Sequence, residues 1–161
     1  MMEKNPTATG VTIAEEAIRV VWSEGDTSRI PEFYTADFVA HQPRPSLNWT
    51  GAPETMDWTG HAGLKAVVNA VRASFPDYTE TPELVVADGD LIAMRMRNRG
   101  THTGSPIGRL AASGKRIDVV DTMFVRISNG KIAEQWGLFD EFSVGLQLGL
   151  ISPHDLPMLG E

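Results

Sequence analysis

Residues 115–140 read KRIDVVDTMFVRISNGKIAEQWGLFD, and the alternation inside this stretch decides the fold. Ile117, Val119, Asp121, Met123, Val125 and Ile127 fall two apart, so they share one face of a strand on which Asp121 is the one polar side chain. Ser128, Asn129, Gly130 and Lys131 break the pattern with an Asn-Gly dipeptide, which supplies two φ > 0 residues for a tight hairpin. An antiparallel strand over residues 131–140 must follow. In it Ile132, Glu134, Trp136, Leu138 and Asp140 share one face, with Ala133, Gln135, Gly137 and Phe139 on the other.

Upstream the pattern predicts strands at 83–87 and 91–103, joined by the Asp88-Gly89-Asp90 turn. Met94, Met96, Asn98 and His102 align against Arg95, Arg97 and Arg99, and the methionine side is the buried one. Helical signals precede the strands. Thr12 and Glu15 read as a capping box opening a helix over 12–25, with Ala14, Ala17, Ile18, Val21 and Trp22 on one stripe. A short helical piece at 28–34 leads into a strand at 37–41. Residues 42–59, with Trp49 and Trp58, read as a long loop, either a functional lid or an insertion. Leu64, Val67, Val68, Val71 and Phe75 form an amphipathic cover helix stopped by Pro76. Residues 142–151 close the fold as a short helix or turn. The class is α+β: a cone-shaped, curved antiparallel sheet whose concave face is covered by the N-terminal helices, with a ligand hollow between them.

The chain has 161 residues, 42% hydrophobic and 22% charged, which suits one domain over 12–151 between a flexible N-terminus (1–11) and a C-terminal tail (152–161). Fourteen Lys and Arg against 21 Asp and Glu leave a charge of −7, which disfavours nucleic acid as a partner. The absence of cysteine excludes disulfides, thiolate metal sites and a thiol nucleophile. No apolar run suggests a signal peptide or membrane span, so no membrane partner and a cytoplasmic location are expected. The expected partners are a hydrophobic small-molecule ligand or substrate and a second copy in a homodimer. The dimer would form through the outer sheet face, where Arg95, Arg97 and Arg99 stand beside Val120 and Phe124.

Parity selects the candidate site residues. A buried carboxylate costs several kcal/mol unless paired or protonated, and desolvation raises its pKa toward values useful to an acid/base catalyst. Asp121 and Asp140 are therefore candidates. The plainer readings are a buried ion pair with an arginine for Asp121 and a cap or turn for Asp140. His102, inside Gly-Thr-His-Thr-Gly, is either a catalytic partner or a turn residue; His41 is either a pocket or a core histidine. Trp22, Met94, Met96, Asn98, Met123 and Trp136 would line the hollow. His61 and His154 read as surface residues. No two histidines lie at metal-ligand spacing, so no metal is expected.

Four stretches, at 37–43, 100–104, 124–134 and 135–149, resemble the SnoaL-like polyketide cyclase family of the nuclear transport factor 2-like superfold. The resemblance implies a cystatin-like α+β barrel and an intramolecular aldol condensation without metal or cofactor. The aspartate matching Asp140 would be the general acid/base and His102 would shape the pocket. The loop at 43–59 is longer than the resemblance leads one to expect. Alternatives are a cofactor-independent hydroxylase, an epoxide hydrolase, and a non-catalytic binding or dimerisation module. An epoxide hydrolase would need Arg and Asp two apart on the inner face; Arg116 and Asp118 have the spacing but the opposite parity to Asp121. A ketosteroid isomerase would need an oxyanion tyrosine, and Tyr34 and Tyr78 are the only two.

Overall fold

The structure, a computed structural model, describes residues 6–41 and 57–152. In chain order these form α1 (Pro6–Ala17), a π-helical turn (Ile18–Ser23), a 3₁₀ turn (Thr27–Arg29), α2 (Ile30–Phe33), β1 (Tyr34–His41) and β2 (Asp57–Thr59). Then come α3 (Gly60–Ser74), β3 (Thr79–Asp88), β4 (Leu91–Thr101), β5 (Arg116–Ser128), β6 (Lys131–Phe139) and α4 (Glu141–Leu148). The curved, unclosed sheet has the order β2-β1-β6-β5-β4-β3. The hairpin between β5 and β6 turns on Asn129 (φ 50°) and Gly130 (φ 73°), as the dipeptide predicts. One pair departs from an antiparallel sheet: β1 runs parallel to β6, with His41 opposite Trp136.

The first helix begins at Pro6, ahead of the expected start at Thr12. Proline is tolerated at a helix start because the N–H it lacks has no helical partner there. Thr12 consequently lies in the helix interior and its hydroxyl donates to Ala8 O at 3.1 Å, so it is not a cap. At Gly10 a Cβ would stand 3.2 Å from both Ile92 and Ile127, which shows how closely α1 lies on the sheet. Ala14, Ala17, Ile18 and Val21 meet Leu64 and Val68 of α3 and the sheet's inner residues Ile92, Met94, Met96, Ile117, Val119, Met123 and Val125 in one buried core. Of the stretch at 42–59, residues 42–56 with Trp49 lie outside the described residues; Asp57–Thr59 pairs with β1, and Trp58 packs against the core. His154 also lies outside.

Strand parity holds for β4 and β5 and corrects the reading of β6. Asp121 pairs with Phe139, Phe124 with Trp136 and Thr122 with Leu138. Trp136 and Leu138 therefore lie on the outer face with Phe124. Phe139, Gly137 and Gln135 face the helices. The two large apolar side chains of β6 suggested a buried face, but the cross-strand register puts Gln135, Gly137 and Phe139 inside instead, and a register shift also turns Ile132 into the core. No helix among the described residues is long and apolar enough to cross a membrane.

Candidate active site

The expected grouping of Asp140, His102, Trp136 and Met96 does not form. Trp136 is on the outer face, where its indole stacks on His41 with ring centroids 5.2 Å apart and planes 18° from parallel. His41 thus lies outside the hollow too. The Arg126 guanidinium sits 5.7 Å from the Trp136 ring centroid. Asp140 is the N-cap of α4: its carboxylate accepts from Ser143 N at 2.9 Å and from the Ser143 hydroxyl at 2.6 Å.

His102 is fully buried beside Phe75, their rings 5.6 Å apart. Its Nε2 lies 2.9 Å from Ser105 O, a pure acceptor, so Nε2 carries the proton and donates. With the ring neutral, Nδ1 accepts from the Ser113 hydroxyl at 3.2 Å. Both nitrogens are occupied in holding the segment that follows β4. That segment also docks on α3, where Gly104 N donates to Ser74 O and a Cβ on Gly104 would stand 1.9 Å from Ala73 O. His61, expected at the surface, is half-buried and its Nε2 lies 3.0 Å from Tyr34 O.

The inner face carries a different polar group. Asp121, 8% exposed, lies opposite Met96 on β4, and Asn98, two positions along the same face, is fully buried and opposite Glu80 of β3. Among the described residues, Asp121 Oδ1, both amide atoms of Asn98 and Glu80 Oε2, on three adjacent strands, are buried without a hydrogen-bond partner of standard geometry, and Gln135 Oε1 is likewise unpartnered further along the sheet, opposite Val125. Such atoms are costly, on the order of 1–3 kcal/mol each, and a cluster of them is unusual in a finished core. The ion pair with an arginine that would explain Asp121 structurally is absent among the described residues.

Burial pushes the Asp121 carboxyl up to about 6, with the Asn98 amide and the backbone at Thr122 and Leu138 drawing it back. Burial first, and the Asp121 charge second, push Glu80 up to about 8, while its hydrogen bond with Tyr78 works the other way. The Tyr78 hydroxyl donates to Glu80 Oε1 at 2.9 Å. Burial together with the charges of Glu80 and Asp121 keeps Tyr78 protonated well above its ordinary range. Tyr34 is likewise raised by burial, and its hydroxyl accepts from Trp22 Nε1 at 3.2 Å.

Three elements hold this group in place. The π-helical turn carries Trp22 inward and sets Ser23 against β3, where the Ser23 hydroxyl donates to Glu80 O at 3.0 Å and Glu80 N donates back at 2.9 Å. Such turns recur at functional sites. Arg72 of α3 donates to Trp22 O, Ser23 O, Tyr78 O and Pro76 O, tying the turn to the start of β3. Trp22, Met94, Met96, Asn98, Asp121 and Met123 are buried within the core, and Tyr34, Tyr78 and Glu80 join the polar group among them.

The outer face settles the Arg116–Asp118 spacing. Asp118 is exposed and ion-paired to Arg97 and Arg99, and the Arg97 hydrogen bond, aided by Arg99, holds its carboxyl down to about 2. Among the described residues no three metal-ligating side chains come together.

The SnoaL-like polyketide cyclase family matches residues 12–148. Among solved structures, a proposed polyketide cyclase from Bacillus cereus ATCC 10987 is 28% identical with a TM-score of 0.71, the match covering 89% of this chain and 83% of that one. IdmH, a proposed polyketide cyclase from Streptomyces antibioticus, is 28% identical with a TM-score of 0.71, covering 91% and 99%. AclR from Streptomyces galilaeus, a proposed hydroxylase, shares the fold at 20% identity and a TM-score of 0.74, covering 94% and 87%. No curated protein sequence matches the chain.

Proposed function

The chain belongs to the SnoaL-like polyketide cyclase family, and on that footing we propose that it closes a ring in a neutral polycarbonyl small molecule by intramolecular aldol chemistry, with Asp121 as the base. The carrying observation is the Asp121 carboxylate, buried with Oδ1 unpartnered among the described residues, in a core otherwise dominated by methionine and branched aliphatic side chains. A wholly apolar interior would suit a binding module; a carboxylate kept there against its desolvation suits a proton acceptor.

In this reading Asp121 Oδ1 takes the α-proton of a β-dicarbonyl unit. Asn98, whose amide lies beside the Asp121 carboxyl and has no hydrogen bond of standard geometry among the described residues, donates to the enolate oxygen as charge develops. Trp22, Met94, Met96 and Met123 fold the substrate so that the enolate carbon meets a ketone of the same molecule. The conjugated carbonyls delocalise the charge, so the step needs neither metal nor cofactor. Asp140, the residue the resemblance implies as acid/base, serves here as the cap of α4, and His102 as the clasp of the segment after β4. The test is turnover of neutral β-dicarbonyl esters by wild type and Asp121→Asn. The variant should lose roughly 10²- to 10⁴-fold. A variant at wild-type rate overturns the assignment.

We further propose a homodimer through the outer sheet face. Leu84, Val86, Phe124 and Leu138 are exposed there, more apolar surface than scattered residues would give. The neighbouring arginines are compensated within the chain, Arg95 by Glu83 and Arg97 by Asp118, so two copies can meet without like-charge repulsion.

A further inference from the structure

We infer that Glu80, held by Tyr78, is a second catalytic carboxyl that protonates the alkoxide formed when the ring closes. This rests on the reading of Asp121 as base and adds the group that completes the reaction. Three strands bring the parts together: Glu80 on β3 lies directly opposite Asn98 on β4, and Asp121 on β5 lies two positions further along the same inner face. Asn98 therefore sits on the strand between the two that carry these carboxyls, on the same face. Each carboxyl keeps one oxygen unpartnered among the described residues, Oδ1 of Asp121 and Oε2 of Glu80. The second oxygen of Glu80 accepts from the Tyr78 hydroxyl at 2.9 Å, which leaves Oε2 as the place where a proton resides.

The proton count closes. The resting pair holds one proton, on Glu80. Asp121 takes the α-proton; the enolate carbon forms a bond to the ketone carbon, whose π electrons move to oxygen; Glu80 Oε2–H gives its proton to that alkoxide. Asp121 now carries the proton and Glu80 the charge, and transfer between them restores the start. The pair enters and leaves with a single proton, so no external acid is consumed.

A pair with this division of labour works only between its two titrations. Asp121 is pushed to about 6 and Glu80 to about 8, so activity should fall below the lower value as the base is neutralised and above the upper one as the acid ionises. Among the described residues, the titratable groups facing the pair are Tyr78 on the approach to β3 and Tyr34 of β1, both held protonated by burial, and the cation tied to Tyr78 is Arg72 of α3, which donates to Tyr78 O.

The test uses an ethyl β-keto ester carrying a second ketone four carbons further along, set to close a six-membered ring. Deuterium uptake at the α-carbon in D₂O reports proton removal, and ring product reports the complete reaction. Glu80→Gln should retain deuterium uptake and lose roughly 10²-fold or more in ring product, with the upper limb of the pH profile gone. Asp121→Asn should lose both. Tyr78→Phe removes a hydrogen bond that favours ionised Glu80, so the upper limb should move to higher pH; this arm stands if Glu80→Gln does not fold. Wild-type ring closure and an intact upper limb in Glu80→Gln overturn the role of Glu80 while leaving Asp121 as base. Deuterium uptake unchanged in Asp121→Asn overturns the underlying reading.

Discussion

Asp140 accepts two hydrogen bonds from Ser143, one from its backbone N at 2.9 Å and one from its hydroxyl at 2.6 Å, and through them closes the first turn of α4. Asp140→Ala should therefore destabilise the fold by about 1 kcal/mol, which lowers Tm by roughly 2–4 °C in a chain of this length. Asp140→Asn keeps an acceptor at the cap and should be near wild type in both Tm and turnover. Thermal unfolding with a turnover assay checks both, and a folded but inactive Asp140→Asn would move the acid/base centre to the end of β6.

Asp121 should cost stability as pH rises. Its carboxyl is raised from 3.8 to about 6 in the folded chain, so the native state binds the proton more tightly than the unfolded one. The penalty is absent below about pH 4, grows as pH climbs, and is complete above about 6. Two units amount to on the order of 3 kcal/mol. Denaturant unfolding should show Asp121→Asn more stable than wild type at pH 8 and level with it near pH 4. Equal stability at both would mean the carboxylate is solvated.

His102→Ala should loosen the segment after β4. It removes the donor to Ser105 O and the acceptor for the Ser113 hydroxyl, about 1–3 kcal/mol for the groups left unpaired, and opens a gap beside Phe75. Hydrogen exchange should rise across residues 103–114. Exchange unchanged there would show that the ring is not what holds the segment.

Phe124→Asp places a charge in the middle of the exposed apolar face and should convert a dimer of 17.6 kDa chains to monomers by light scattering. The variant should keep its far-UV spectrum, since Phe124 is 46% exposed. A wild type that is already monomeric at micromolar concentration refutes the interface.

Alternation made β4, β5 and the hairpin legible, because side chains two apart must share a face and Asn-Gly fixes the turn. It could not say which face of β6 is inner. Trp136 and Leu138 carry the stronger apolar signal, yet the cross-strand register sends them outward with Phe124. Glu80 escaped notice for another reason. The expected strand covered 83–87, whereas β3 starts at Thr79; as an edge strand it accommodates Pro82 at a register shift. The alternation of Tyr78, Glu80 and Pro82 against Thr79 and Thr81 was the available signal. The π-helical turn left no mark, since Ile18, Val21 and Trp22 fit ordinary helical spacing.

The parallel pairing of β1 with β6 sets an order of events at the ribosome. Tyr34 pairs with Ile132, about 100 residues later, so β1 has its central neighbour only when almost the whole domain has been made. At 5–20 residues per second the first strand waits roughly 5–20 s, its inner side chains sheltered by helices and its long edge unpaired. A chain that stops between β5 and β6 leaves two unmatched sheet edges, those of β1 and β5.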